Sequence, residues 1–111
     1  MKVGEILDGC SEWSCAEGYE ALRPMVSVLL PTFRRAKSGL FETAVQSVLD
    51  QDFQNWELII IDDGSTDGTA DLIAHFMRND RRISCIRHRY NIGLPAISEY
   101  EGYEKARGEY I

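Results

Sequence analysis

Residues 56–68 read WELIIIDDGSTDG, and this stretch decides the fold. Residues 56–61 are nearly continuous in apolar character, which is typical of a parallel strand covered on both faces. Residues 62–68 are acidic, small or glycine and predict a loop. Apolar residues then recur at helical spacing from Ala70 to Met77, and Asp67 or Thr69 is able to cap that helix. A buried strand, a polar loop and a helix in this order form part of a βαβ unit.

The same alternation continues on both sides of this stretch. The pattern predicts a strand at Val26–Leu30 that ends at Pro31, followed by a helix at Leu40–Leu49 with Ser38 as its N-cap. It also predicts a third strand at Ile83–Ile86, a further helix at Leu94–Ala106 and the start of a fourth strand at Glu109–Ile111. The sequence therefore predicts an α/β fold, Rossmann-like, with three α/β/α layers around a mainly parallel sheet of three full strands and a truncated fourth.

Length and composition fit one domain of an ordinary globular protein. The chain has 111 residues, of which 44% are hydrophobic and 27% charged. We expect residues 1–24 to be a poorly ordered lead-in, with a short helix near Cys15–Leu22, and residues 25–111 to form the α/β domain. The net charge of −6 argues against nonspecific binding to nucleic acid, whose phosphates favour basic surfaces.

Cysteine usage and hydropathy indicate the compartment. The three cysteines are odd in number and lack the spacing of a zinc site, so we expect free thiols in a reducing environment. The sequence has neither an apolar run of membrane-spanning length nor a hydrophobic leader. These features predict a cytoplasmic protein, which would need parts outside this chain to associate with a membrane.

Two loops at the carboxyl ends of predicted strands carry unusual chemistry. Ligands of parallel α/β sheets bind at such ends. In the first loop, Pro31 fixes the exit from the sheet, Thr32 offers a hydroxyl, and Phe33 offers an aromatic surface to a base. An ordinary turn with a core aromatic is the open alternative for this loop.

The second loop contains the acidic pair Asp62 and Asp63, followed by Gly64. One carboxylate is expected to stabilise the turn by accepting backbone N–H bonds, and the other to face a ligand. An ionised carboxylate only accepts hydrogen bonds, which suits a base imide or ribose hydroxyls. Gly64 allows a positive φ or a close backbone approach. A solvated, Asp-rich turn is the open alternative. Neither loop has the glycine pattern of a dinucleotide site or a phosphate loop.

Five arginines surround the third predicted strand and suggest either a diphosphate site or a solvated basic face. They are Arg78, Arg81, Arg82, Arg87 and Arg89, with His88 among them.

Three ordered segments of the chain together resemble glycosyltransferase family 2, whose fold is called GT-A. They are VSVLLPTFRR at residues 26–35, SVLDQ at 47–51 with NWELIIIDDGSTDGT at 55–69, and NIG at 91–93 with ARGEYI at 106–111. The resemblance implies inverting transfer of a sugar from a nucleotide diphosphate, by family habit a UDP-sugar, to the hydroxyl of a saccharide or lipid-linked acceptor in a full-length parent. It also implies Mg²⁺ or Mn²⁺.

The resemblance identifies residues 25–111 as a partial GT-A nucleotide-binding domain and assigns nucleotide binding to the two loops. Asp63 would line the base pocket, Asp62 would support the loop, and Gly64 and Ser65 would shape the pocket. The complete set of candidate nucleotide-binding residues is Pro31, Thr32, Phe33, Arg34, Asp62, Asp63, Gly64 and Ser65.

The chain departs from the family pattern in three places. Arg34 replaces the usual asparagine, and the stretch Leu94–Gly102 is one residue longer than the usual Ala-Arg-Asn element. The family's metal-binding Asp-x-Asp motif and catalytic base would follow Ile111, so no catalytic or metal-ligating residue is assigned here. We therefore predict no transferase activity for this chain by itself. An inactive nucleotide-binding or interaction module is the alternative, and a receiver-like domain would need its acidic pair after the first strand instead.

Overall fold

The computed structural model describes residues 10–33 and 39–111. Four strands form one mixed sheet: β1 (Ser11–Ser14), β2 (Val26–Thr32), β3 (Trp56–Asp62) and β4 (Ile83–His88). The helices are α1 (Leu40–Asp50), α2 (Thr69–Asn79) and α3 (Pro95–Lys105), with a short 3-10 helix at Tyr19–Ala21. The spatial order of the strands is β1-β4-β3-β2.

Strands β2, β3 and β4 are parallel, as the sequence predicts. The single bridge between Val26 and Tyr110 marks the start of the predicted fourth parallel strand, beside β2. All seven residues of β3 are buried, because helices cover both faces of the sheet. The α/β Rossmann-like prediction is confirmed.

Two apolar clusters hold the layers together. One face of the sheet packs Leu58, Ile60 and Cys85 against Phe41 and Val45 of α1 and Ile73 of α2. The other face packs Ile59, Ile61 and Ile86 with Trp13 and Leu29. On that second face α3 comes very close to the sheet, because Gly102 has no side chain between it and the methyl groups of Ile61 and Leu29.

Strand β2 continues through Pro31 to Thr32, whereas the sequence pattern predicts that it ends at Pro31. Among the described residues, β2 has only β3 as a full-length neighbour, so the missing N–H of a proline costs no ladder bond on the other side of β2. The longer strand carries Thr32 to the register position opposite Asp62.

Strand β1 is an element that the sequence analysis does not predict. It runs antiparallel to β4, with Ser11 opposite His88 and Ser14 opposite Cys85. The 3-10 helix lies inside the range predicted for a short helix. The predicted N-cap Ser38 lies outside the described residues, and the N-cap position of α1 is Gly39. The N-cap of α2 is Gly68 and not Asp67 or Thr69, although Asp67 accepts bonds from the N–H and hydroxyl of Thr69 and so supports the helix start.

A buried carboxylate joins the beginning, middle and end of the chain. Glu57, on β3, is fully buried and accepts hydrogen bonds from the hydroxyls of Tyr19 and Ser27, both at 2.6 Å, and from the backbone N–H of Arg107 at 2.7 Å. Burial and the bond to Glu57 raise the pKa of Tyr19 to about 12, so its hydroxyl remains a donor at neutral pH.

The three cysteines carry free thiols, as expected. In the part of the chain that the structure describes, no helix has the length and apolar character needed to cross a bilayer.

Candidate nucleotide site

A cavity of about 310 Å³ opens at the carboxyl ends of β2 and β3. Its walls come from both predicted loops, the loop after β4, and α3; the residues are Pro31, Thr32, Phe33, Asp63, Asn91, Gly93 and Ser98. The parallel register explains the convergence, since Thr32 lies opposite Asp62 and the Asp63 N–H donates to the Thr32 carbonyl at 2.9 Å. The position agrees with the usual ligand site of parallel α/β sheets.

Thr32 and Phe33 present a polar and an aromatic group to this cavity. Thr32 is 7% exposed, and its hydroxyl is buried with no hydrogen-bond partner among the described residues. Buried hydroxyls are normally paired, so an unpaired one at a cavity wall indicates a group that a ligand or water can satisfy. Phe33 is 39% exposed, so part of its ring is accessible at the cavity wall.

The two aspartates of the acidic pair, Asp62 and Asp63, lie on opposite faces of the sheet. Asp62 is fully buried and lies on the α2 side, where its Oδ1 accepts the Ser65 N–H at 3.1 Å. Its Oδ2 lacks a hydrogen-bond partner within the described residues, and the Nε of Arg87 lies 3.9 Å away. Asp62 therefore supports its own loop, and it does not line the cavity.

Asp63 lies on the α3 side, at the cavity wall, and its carboxylate is fully engaged. Oδ1 is 2.7 Å from Nδ1 of His88 and accepts the Ile92 N–H at 2.9 Å. Oδ2 accepts the Asn91 side-chain amide and the Gly93 N–H, both at 2.9 Å. Burial by itself would raise the pKa of Asp63, but these donors outweigh it and hold the pKa below 3.8. The carboxylate is ionised at neutral pH, and each oxygen already has two donors.

Gly64 makes this arrangement possible. Its φ is +76°, and a Cβ at this position would lie 2.4 Å from the backbone N of Asn91 and from the carbonyl carbon of Tyr90. Only glycine lets the β3 loop approach the β4 loop this closely. Neither Gly64 nor Ser65 lines the cavity, and Arg34 lies outside the described residues.

Sequence reasoning missed several members of the site. The sequence marks Asn91 and Gly93 as family-like without assigning them to the pocket, names His88 only with the arginines of a possible diphosphate site, and gives no signal for Ser98. Two-residue alternation along β4 places His88 on the same face as Ile86, and this signal was available in the sequence.

The five arginines do not form one group. Arg82 stands at the start of β4, where it stacks 3.8 Å from the Trp56 ring centroid and pairs with Asp80 at 2.7 Å. Arg87 and Arg89 stand at the opposite end of the same strand. The set therefore does not converge on one diphosphate site.

A larger, open groove of about 790 Å³ runs along the outer edge of β2 and beside α3. Its walls are mainly apolar and aromatic, with Val28, Leu29, Tyr100 and Tyr103 among them. The groove follows the strand edge beside the Val26–Tyr110 bridge and reaches Pro31, which also lines the cavity at the ends of β2 and β3.

Comparison with known proteins decides the family. The sequence model of glycosyl transferase family 2 matches residues 27–111. The chain belongs to glycosyl transferase family 2. This family 2 chain is 38% identical over 89 residues to TuaG of Bacillus subtilis, a glycosyltransferase named for teichuronic acid biosynthesis. It is 35% identical over 89 residues to the GalNAc(5)-diNAcBac-PP-undecaprenol beta-1,3-glucosyltransferase of Campylobacter jejuni.

The family 2 chain covers only part of these relatives. The matches take in 80% and 79% of this chain but 34% and 28% of the two relatives. Among solved structures, it resembles residues 1–349 of TarS from S. aureus, with a TM-score of 0.66, 27% identity, and coverage of 78% of this chain and 26% of that one.

A second solved structure shows the same fold. The mannosyltransferase PcManGT of Pyrobaculum calidifontis, in complex with GDP-Man and Mn²⁺, matches with a TM-score of 0.61 and 20% identity, over 86% of this chain and 28% of that chain. The predicted GT-A fold is confirmed.

Proposed function

We propose that this chain holds the nucleotide part of a nucleotide-diphosphate sugar, by family habit a UDP-sugar, as one segment of a glycosyltransferase. In the longer protein the sugar would pass to the hydroxyl of a saccharide or lipid-linked acceptor. The observation that carries the proposal is the cavity at the ends of β2 and β3, where the unpaired Thr32 hydroxyl, the exposed Phe33 ring and the ionised Asp63 meet.

The geometry of the cavity suggests how a nucleotide base would be recognised. The Phe33 ring offers a stacking surface, and such stacking contributes about 1–3 kcal/mol per base. The Thr32 hydroxyl can donate or accept one hydrogen bond. A base imide that donates to Asp63 must replace one existing donor. The Asn91 amide is the replaceable one, since it belongs to an exposed side chain, whereas His88 is buried and the other two donors are backbone groups.

The described residues do not fit a divalent cation. Asp62 and Asp63 lie on opposite faces of the sheet, so they cannot share an ion. Within residues 10–33 and 39–111, no group of three or more His, Cys, Asp or Glu side chains could hold one. The Mg²⁺ or Mn²⁺ implied by the family would therefore need ligands other than these, and no step is assigned to it here.

Nucleotide binding is tested by amide NMR titration of the chain with UDP. We expect shifts at residues 31–33, 63 and 91–93, and a loss of affinity of roughly tenfold or more in Phe33→Ala, because a stacking surface is removed. Phe53→Ala is the matched control, since Phe53 is a similarly exposed ring, 44% against 39%, that does not line the cavity. Thr32→Val keeps the shape of Thr32 and removes its hydroxyl. Equal UDP affinity in the wild type, Phe33→Ala and Thr32→Val would contradict the proposed pocket.

We also expect the chain by itself to bind UDP without transferring sugar. A general base must accept a proton from the acceptor hydroxyl. Of the two carboxylates near the cavity, Asp63 has four donors and Asp62 faces the other side of the sheet. The measurement is release of UDP from UDP-glucose and UDP-GlcNAc by the purified chain with acceptor sugars. Turnover above the rate of a heat-inactivated sample would refute this prediction.

A further inference from the structure

A buried histidine stands between two carboxylates behind the candidate nucleotide site. His88 is the last residue of β4, and its side chain is 0% exposed. Nδ1 lies 2.7 Å from Oδ1 of Asp63, and Nε2 contacts Oε1 of Glu101 on α3. The second oxygen of Glu101 accepts the hydroxyl of Ser11 from β1. Two strands, one helix and the β3 loop thus meet around a single imidazole ring.

The proton count of this cluster follows from its geometry. A neutral imidazole has one N–H and one lone pair, and an ionised carboxylate can only accept. Both ring nitrogens of His88 face carboxylate oxygens, so the two contacts are hydrogen bonds only when the cluster holds one extra proton. Burial by itself would lower the pKa of His88, but the bonds to Glu101 and Asp63 outweigh it and raise the pKa from 6.5 to about 9. The ring is therefore an imidazolium at neutral pH.

Other charged groups near the ring have less influence on the charge of His88. Arg87 lies on the opposite face of β4, beside Asp62. Arg89 and Glu12 pair with each other at 3.6 Å, and both side chains are more than 60% exposed, so solvent screens their charges. Asp63 and Glu101 are thus the two carboxylates that set the charge of His88.

We propose that His88 is a positioning residue for nucleotide binding, and that its imidazolium holds Asp63 in the orientation in which Oδ2 faces the cavity and the Asn91–Gly93 loop. This inference rests on the proposed nucleotide site. When the imidazolium loses its proton, one ring nitrogen presents a lone pair to a carboxylate. Asp63 or Glu101 must then turn away, and the cavity wall changes shape.

The sign of the resulting pH dependence is fixed by this chemistry. The aligned form exists while His88 carries its extra proton. Nucleotide affinity is therefore retained on the acid side of the midpoint of His88 while Asp63 stays ionised, and it falls as the pH rises through that midpoint. Glu101→Gln removes one of the two stabilising charges, so it lowers the midpoint of His88 and must lower the midpoint of binding by the same amount.

The test combines two titrations of the full chain. The pH titration of the His88 ring is followed by NMR with ¹³C-labelled histidine, and the second imidazole signal is assigned with His75→Gln. UDP affinity is measured by calorimetry across the same pH range for the wild type, Glu101→Gln and His88→Gln. Because the uracil imide also ionises in alkaline solution, the decisive quantity is the difference between variants, in which the ligand's own titration cancels.

We expect the two wild-type midpoints to coincide and to move down together in Glu101→Gln. In His88→Gln we expect affinity at neutral pH to fall roughly tenfold, about the effect of losing one hydrogen bond to a charged group, and the His-dependent step to vanish. If His88→Gln does not fold, the midpoints of His88 titration and of UDP binding, compared between the wild type and Glu101→Gln, are sufficient to test the positioning role. A binding profile that stays in place while the His88 midpoint moves would overturn the positioning role and leave the nucleotide site standing. Absence of UDP binding by the wild type at every pH would overturn both.

Discussion

Replacing Glu57 with alanine is expected to lower the free energy of unfolding by about 3–5 kcal/mol, the combined cost of leaving buried donors without an acceptor and of the cavity that the shorter side chain creates. The carboxylate is fully buried and accepts from the hydroxyls of Tyr19 and Ser27 and from the N–H of Arg107. Without it, buried donors lose their acceptor, and a cavity forms between the sheet and the segments before and after it. Typical domains have a total stability of about 5–15 kcal/mol, so this loss is large.

Urea unfolding followed by circular dichroism measures the effect. Glu99→Ala is the matched control, because Glu99 is an exposed glutamate on α3. Glu57→Gln should cost less than Glu57→Ala, since the amide oxygen can still accept from Ser27 and Arg107 while the Tyr19 hydroxyl turns to accept from the amide. Stabilities of Glu57→Ala and Glu99→Ala within about 1 kcal/mol of each other would show that the network does not stabilise the fold.

Gly64→Ala is expected to destabilise the chain by about 2–4 kcal/mol, the sum of overpacking and of a positive φ for a residue with a Cβ. The added methyl group would lie 2.4 Å from backbone atoms of Tyr90 and Asn91, and neither can move like a flexible side chain. The β4 loop must therefore shift, and it carries three of the donors to Asp63. UDP affinity should fall together with stability.

Gly68→Ala separates the two causes. Gly68 also has a positive φ, +94°, but no atom lies within 4 Å of the position its Cβ would take. This substitution should cost only about 1 kcal/mol, the conformational part of the effect, and should leave UDP binding unchanged. Thermal unfolding of both variants, with UDP titrations below their transitions, tests the comparison. Equal losses of stability in the two variants would rule out the close approach at Gly64 as the cause.

The regular elements could be predicted because each has a local pattern. The apolar run of β3 and the helical stripe of α2 were both visible in residues 56–77. Strand β1 could not be predicted in this way. Its four residues, Ser-Glu-Trp-Ser, contain no β-branched residue, and it forms because it pairs with β4, which lies far along the chain. The extension of β2 through Pro31 likewise depends on the strand being at an open edge, which is a property of the sheet.

The candidate site also combines features that local sequence encodes with features that depend on distant parts of the chain. Thr32, Phe33 and Asp63 were predicted from motifs that follow strands. Their convergence on one cavity follows from the parallel register. The roles of His88 and Ser98 depend on how α3 crosses the sheet, and no local pattern encodes that crossing. The saturation of Asp63 by four donors was also invisible, because three of them come from a loop almost thirty residues later in the sequence.

The hydrogen bonds of Glu57 also limit which fragments of this protein can fold stably. Its three donors belong to residues 19, 27 and 107, so the buried charge is compensated only in a polypeptide that includes all of them. A fragment beginning at residue 25 would keep the matched family region almost whole and still lose the Tyr19 hydroxyl, together with strand β1 and its pairing to β4. We therefore expect the cooperative folding unit to extend on the N-terminal side beyond residues 27–111, the region that the family model matches.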